Sequence, residues 1–404
     1  MRPILPLARV RTAVDRFVEW LDLYGETSYD KESFFAGPVG RRTKALYYRK
    51  PLLGTVAVAP MVFSEALVPA ARRLFWRPQR FPIADAHYAM GFAFLFQTLG
   101  EQAHYHRAVH FLEVLEATRC RGYERHAWGY PFDWVTRTGT IRTNTPLITT
   151  VGYAYEAFRQ MYATDKDERW RHAMLSTARH ALLDYRDRET APGIATCAYT
   201  PNPNDPASVV NASAYRASLL TKAAADFSDA AYASVAERNL RFVLSSQNAD
   251  GSWYYAMDGQ RDFVDHFHTC FVLKGLATIE AMTADTGCTT AIERGIRYYL
   301  ANLFDADGLP RPFARAPRLT VYRRELYDYA ECINLAALLG DRFPELEHIL
   351  VTVVEDLLDR WQTSVGSFRS RQLLVGWDNV PMHRWAQAQL FRSLCFVLHR
   401  GAKG

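Results

Sequence analysis

Pairs of apolar-periodic segments recur along this chain with a step of about sixty residues, and that step limits the fold more than any other feature. From about Ile83 onward, apolar residues at helical spacing predict helices over 84–99, 101–118, 145–163, 167–186, 211–227, 229–247, 265–284, 289–303, 325–340, 344–362 and 381–399. Connections within a pair are short, as at 164–166 and 340–343, whereas those between pairs run to about twenty residues. Strand-like segments are confined to short pieces inside these long loops. The first members begin near Ala84, Thr145, Asn211, Asp265, Glu325 and Pro381, and only five partners follow them. An amphipathic segment at 10–24 supplies the sixth. The expected fold is therefore an all-α (α/α)6 toroid with long loops, carrying short β-hairpins, gathered at one end. Residues 84–404 form the toroid domain. Residues 1–83 form an N-terminal helix, which closes the ring beside the C-terminal helix, and an arm packed on the barrel, whose position at 25–83 the pattern does not give.

The composition, 49% hydrophobic and 23% charged over 404 residues, is that of a soluble globular protein. Aromatic residues reach 13%, a surplus that in a helical protein lines concave sites as well as cores. The net charge is +5 and the pI near 8.8, yet basic blocks and aromatic RNA-reading motifs are absent, which excludes nucleic acid as a partner. An acidic small molecule or glycan suits the local arginine clusters better. Six scattered cysteines without CxxC spacing read as small buried side chains of a reducing compartment. The N-terminus lacks the apolar core of a signal peptide, so a cytoplasmic location is expected. Leu52–Ala71 is apolar, but Pro60, Glu65 and Pro69 interrupt it, which argues against a spanning helix and leaves peripheral membrane contact open.

Parallel inner helices bring their N-termini to one rim. That rim gathers Asp85 and His87, Asn144 and Thr145, Asn211, then Asp265, His266 and His268. The last two helices add Tyr327, Asp328, Tyr329 and Glu331, then His383, Arg384 and Trp385. Such polar residues serve as helix caps, and together they make a mouth that attracts anions.

Gln247–Gly275 is the densest stretch of rings and titratable groups. Within it, Phe242–Trp253 (FVLSSQNADGSW) resembles the QW repeat of terpenoid cyclases, in which Gln247 would bond the turn and Trp253 would pack under the next helix. Tyr299–Pro310 is a degenerate copy. Terpenoid chemistry lacks its catalyst, because no DxDD motif occurs, and Asp265, His268 and Cys270 make an incomplete zinc set. No metal or other cofactor is expected. In FVDHFHT, Asp265 and His268 share a helix face, so the carboxylate can orient the imidazole as a general acid or base. Trp128, Tyr130 and Trp134 in WGYPFDW suit a sugar platform, with Asp133 on hydroxyls, and Trp253 and Tyr255 extend it. Tyr327 and Glu331 are co-facial, with Asp328 beside them. Arg311, Arg315, Arg318, Arg323 and Arg324 share one acid-free loop, and Arg369, Arg371, Trp377, His383, Arg384 and Trp385 follow in the last. Guanidinium clusters of this kind recognise carboxylates or phosphates.

WGYPFDW with TNTP (143–146), DGSWYY with FVDHFHT, and the closing HRWAQAQ together resemble a family of bacterial exopolysaccharide-biosynthesis proteins over about 120–400. The resemblance implies toroids akin in shape to terpenoid cyclases, protein prenyltransferases and six-hairpin glycosidases, and a pathway rather than a reaction. The expected function is binding or modification of an acidic glycan, or of a lipid- or nucleotide-linked sugar, in an aromatic, arginine-rimmed cleft. As a lyase or epimerase, the protein would use His268 or Tyr327 to abstract a proton. As a hydrolase, it would pair two of Asp133, Asp265, Asp328 and Glu331. Asn144, Asn211, Asp328, Arg323, Arg324, Trp377, His383 and Trp385 complete the expected binding surface. Two rivals are a non-catalytic glycan-binding scaffold within a synthase complex and an isoprenoid-handling enzyme.

Overall fold

In the computed structural model, which describes residues 4–403, six helices line the inside of a closed ring and six cover its outside. The chain opens with α1 (Leu7–Tyr24), then an arm of four helices: α2 (Ser33–Ala36), α3 (Pro38–Arg49), α4 (Pro51–Leu67) and α5 (Arg72–Phe75). Five hairpins follow: α6 (Pro82–Leu99) with α7 (Gln102–Ala117), α8 (Ile148–Asp165) with α9 (Glu168–Leu183), α10 (Val210–Phe227) with α11 (Ala230–Ser245), α12 (His266–Thr283) with α13 (Thr286–Asn302), and α14 (Leu326–Leu339) with α15 (Pro344–Asp356). The last inner helix is α16 (Ala388–Gly401). Each even-numbered helix from α6 packs on the next, and α16 packs on both α14 and α6, which closes the ring. Helix α1 lies against α16 on the outside.

Sequence separates the two layers. Every residue of α6 from Pro82 to Ala93 is buried, because this helix is covered on all sides by neighbours. Its partner α7 buries only Ala108, Phe111, Leu112 and Leu115, a single stripe facing inward. The reversals between them reuse one device. Helices α8, α10 and α12 end on a left-handed residue, Lys166, Ser228 and Ala284 respectively. An aspartate then follows at once, and Asp167, Asp229 or Asp285 accepts a backbone N–H of the outer helix.

The long loops hold short strands: β1 (Trp134–Thr136) with β2 (Gly139–Ile141), and β3 (Asp187–Ala191) with β4 (Ile194–Cys197). Neighbouring loops are stitched together by β5 (Val264–Asp265) with β6 (Phe313–Arg315), and by β7 (Tyr322–Glu325) with β8 (Arg371–Leu373) and β9 (Trp377–Asp378).

Gln247 and Trp253 fasten adjacent hairpins. The Gln247 amide donates to the Gly251 carbonyl (3.0 Å) and to the Ala291 carbonyl of α13 (2.9 Å). Trp253 donates its indole N–H to Val243 (3.0 Å) and lies under Gly295. A second clasp of the same build, WQTSVGSF at 361–368, joins the two ends of the chain. Gln362 donates to Gly366 (3.1 Å) and to Ala13 of α1 (2.8 Å). Gly366 has φ +100°, and a Cβ there would stand 2.2 Å from the Arg16 carbonyl. Gly366→Ala is therefore expected to destabilise the protein by about 2–3 kcal/mol, read as a lower denaturation midpoint, whereas Gly376→Ala, with open space around it, should lose only the cost of its own backbone strain.

Two helix ends lie more than three residues from the expected ones. The segment predicted as helix over 344–362 leaves regular geometry at Asp356 and finishes in a wider turn at Leu357–Trp361. The segment predicted over 381–399 begins its regular helix only at Ala388, after an irregular turn over His383–Gln387. The arm covers the long-loop end through buried ion pairs. Asp30 holds Arg384, Arg72 holds Asp378 (2.7 Å), and Arg371 lies between Glu325 (2.5 Å) and Glu65.

Candidate active site

Asp265 caps α12 and in doing so fixes a histidine. Its carboxylate accepts the His268 backbone N–H (3.0 Å) and takes Nδ1 of the same residue at 2.6 and 2.8 Å. The Asp265 side chain is 2% exposed and that of His268 21%. The imidazole edge is thus free on its Nε2 side, while a buried anion sets its tautomer. Tyr255 stands edge-on to the ring at 4.7 Å, itself stacked on Phe263. Asp265, His268, Asn211, Trp253 and Tyr255 line one pocket with Phe263 and Thr269. In that pocket, whose volume of about 10 Å³ is that of a single water, the side-chain oxygen of buried Asn211 has no hydrogen-bond partner. Burial raises the Tyr255 hydroxyl to about 12, which keeps it a neutral donor.

Across Phe267 stands a second group. Tyr327 and Trp385 lie 4.2 Å apart with their rings tilted by 32°, and each packs on Phe267 (5.0 and 5.4 Å). The Lys31 ammonium of the arm lies over the Trp385 ring at 3.2 Å. Among the described residues no carboxylate comes within ion-pairing distance of Lys31, and burial lowers it to about 8, against the pull of Glu325. Tyr130 receives a hydrogen bond from Arg384 (3.2 Å) and packs on Trp134 (5.6 Å), which in turn meets Tyr199 (6.3 Å).

Below these rings lies the ring's lumen, a cavity of about 150 Å³ lined by Tyr153, Glu156, Tyr215, Lys222, Lys274, Asn334 and Arg392 among others. Lys222 pairs with Glu156 (2.5 Å) and Lys274 with Glu331, while Arg392 has no ion pair among the described residues. His87, fully buried against Tyr153, has no partner for either ring nitrogen. Burial, then Arg392 and Lys274, hold it neutral.

Several expected site residues have other roles. Trp128 is fully buried, gives its N–H to Leu115 (2.7 Å) and wedges under α9 beside Phe158 and Trp170, so it is no sugar platform. Trp253 borders the pocket but is held in the same way. Asp133 is engaged by Arg41 (2.5 Å), Arg142 (3.0 Å) and the Thr143 N–H (2.9 Å). Glu331 is paired to Lys274 and is no free proton donor. His383 accepts from Tyr88 at Nδ1 (2.6 Å) and donates from Nε2 to Gly25 (3.0 Å), and burial lowers it to about 4, a satisfied structural histidine. Asn144 is exposed in the loop four residues before α8 and does not reach the rim. Trp377 packs edge-on to Trp361 under Arg369. Arg324 pairs with Asp305 (2.6 Å) and Asp307 (3.1 Å), Arg315 with Asp262, and Arg323 is exposed. The acid-free arginine stretch thus finds its acids at the start of its own loop, Asp305 and Asp307, and on the preceding long loop, Asp262. Both carboxylate oxygens of Asp328 are buried without partners, and desolvation, then the negative charges of Glu325 and Asp265, raise it far above the usual carboxylate range. Cys270 turns away from Asp265 toward the Tyr299 hydroxyl (3.5 Å), which dissolves the zinc set. Among the described residues no group of three or more His, Cys, Asp or Glu side chains is arranged to hold a metal ion.

Lys31, Tyr199, Lys274 and Arg392 were not singled out by sequence. Lys31 comes from the arm, which carries no repeat signal. Lys274 and Arg392 sit on otherwise apolar inner helices, where an isolated cation was itself the available sign.

No family model matches the chain, and no curated protein matches it. Solved structures do. A D-mannose isomerase is similar over 97% of this chain and 97% of its own, with TM-score 0.63 and 12% identity. A UGL variant solved with dGlcA-Glc-Rha-Glc matches over 96% and 95%, with TM-score 0.61 and 14% identity. The cellobiose 2-epimerase of Bacillus thermoamylovorans matches over 80% and 88%, with TM-score 0.63 and 9% identity. The chain thus shares the α/α-toroid fold of carbohydrate-active enzymes.

Proposed function

We propose that this protein is a carbohydrate-active enzyme of polysaccharide assembly that moves a proton at carbon on an acidic sugar, with His268 as the acid–base group. The observation that carries this reading is the Asp265–His268 pair opening on the pocket that holds the unsatisfied Asn211 oxygen. His268 Nε2 takes the proton from the carbon beside the sugar's carbonyl or carboxylate, and the electron pair moves onto oxygen as an enolate. Return of the proton to the other face gives an epimer. Departure of the β-substituent instead gives an unsaturated sugar. Hydrolysis by a carboxylate pair fits less well, since Asp133 and Glu331 are ion-paired, Asp265 is committed to His268, and Asp328 is sealed from solvent. The charged lumen likewise disfavours an isoprenoid.

The acidic part of the reading rests on Lys31, an unpaired ammonium over Trp385 at the mouth. The setting rests on the resemblance to exopolysaccharide-assembly proteins, and lipid- or nucleotide-linked uronosyl sugars fit it equally. Incubation in deuterated water with uronate-containing and neutral oligosaccharides tests the reading by NMR. Deuterium at the carbon beside the carboxylate, lost in His268→Asn, supports it; binding without exchange would make the protein a scaffold.

A pH profile tests the acidic substrate separately. Lys31 is an ammonium below about 8 and neutral above it, so affinity for a uronate ligand should fall as pH rises through that value, well short of the ordinary lysine range. Lys31→Met should flatten the profile and raise the dissociation constant roughly tenfold, the effect of removing one charge-assisted hydrogen bond. Calorimetry across a pH range that brackets the Lys31 titration reads both.

A further inference from the structure

The arm carries a surface that neither the ring nor the site explains. On α4, Leu52, Val56, Pro60, Phe63 and Leu67 recur at three- and four-residue steps and form one exposed stripe. Leu52 is 88% exposed, Val56 74% and Phe63 65%. Leu53, Val68, Leu74 and Phe75 widen it into a patch of large apolar side chains. The opposite face, Gly54, Val58, Met61 and Glu65, is turned inward, and Glu65 binds Arg371. The stripe is therefore fixed outward by packing rather than left loose.

Charge selects the occupant. Glu65 is the sole acidic residue between 33 and 79, and it is consumed inside. Arg42, Arg49, Lys50, Arg73 and Arg77 are exposed, lie in the sequence on both sides of the apolar helix, and have no ion pair among the described residues. An apolar stripe flanked by unneutralised cations on both sides complements lipid acyl chains beneath phosphate headgroups. A second copy of the same surface would bring like charges together. No single helix is long and apolar enough to cross a membrane; α4 and the following segment, Pro69–Phe75, reach that length and apolarity only together, across a bend of 119°.

We infer that the arm docks this protein on an anionic bilayer, with Leu52, Val56, Phe63 and Leu67 seated in the headgroup–acyl boundary and Arg49, Lys50, Arg73 and Arg77 on lipid phosphates. The inference stands apart from the catalytic reading, since none of these residues lines the pocket. Flotation of the full chain with phosphatidylcholine vesicles and with vesicles containing phosphatidylglycerol tests it, alongside Phe63→Asp and Arg49→Glu/Lys50→Glu variants whose circular dichroism matches wild type. Wild type should float with the anionic vesicles alone. Each variant should bind at least about tenfold more weakly, the paired charge reversal showing the steeper dependence on salt. Failure of wild type to float, or equal flotation of both variants, overturns the inference. So does light scattering that shows a dimer which Phe63→Asp abolishes, an outcome that would assign the stripe to a second copy.

Discussion

Replacing His268 by Asn is expected to lower turnover by about three orders of magnitude while leaving the fold intact, within the range for removal of a positioned acid–base group. The imidazole is 21% exposed and its Nε2 edge faces a pocket, so little packing is lost. Asp265→Asn is the sharper companion. It keeps a side-chain oxygen to cap α12 through the His268 N–H but no longer binds Nδ1–H as a buried anion does. Its expected outcome is a loss of about two orders of magnitude in kcat with little change in KM, because the imidazolium that forms on proton uptake goes unsupported. Equal turnover in wild type and His268→Asn would remove the catalytic reading. A matched loss for Glu331→Gln would move the chemistry into the lumen, where Lys274 holds that carboxylate.

Asp30→Ala has the largest expected effect on stability. Asp30 receives Arg384 Nε at 2.9 Å and a terminal nitrogen at 2.5 Å, and both side chains are 4% exposed. Removing the carboxylate leaves a guanidinium enclosed between Tyr130 and Trp385 with no anion. The penalty for such an orphaned charge is about 3–5 kcal/mol. For a chain of this size, that corresponds to a drop of about 5 °C in melting temperature. Asp30→Leu/Arg384→Met, which removes both charges, should recover most of it. Limited proteolysis separates the local from the global effect, because a freed arm is cut within 25–83 while the ring stays whole.

The ring was legible because burial on every side leaves inner helices apolar throughout, and the sixty-residue step counts them. The Gln247 clasp was legible because Gln, Gly and Trp each answer a separate geometric demand within seven residues. Its counterpart at Gln362 went unread, since Phe368 stands where tryptophan is expected and the partner, α1, lies some 350 residues upstream. Asp265 and His268 were readable together because i, i+3 on a first turn is a local relation. Lys31 and its neighbours are non-local and come from a segment with no periodicity. The arginine loops misled in the same way: Arg315 finds its acid on the preceding long loop and Arg324 reaches back to Asp305 and Asp307 at the start of its own, pairings that linear order does not display.

The clasp at Gln362 also sets an order of events at the ribosome. The groove that receives Val10, Val14, Phe17 and Leu21 is completed by α16 and by the turn at 361–368, which are made after the other ring helices. Until those segments are made, α1 carries an apolar face that the intervening ring helices do not cover. Seating α1 therefore waits on contacts between segments some 350 residues apart, and the entropy of closing so long a loop opposes them until the rest of the ring is in place.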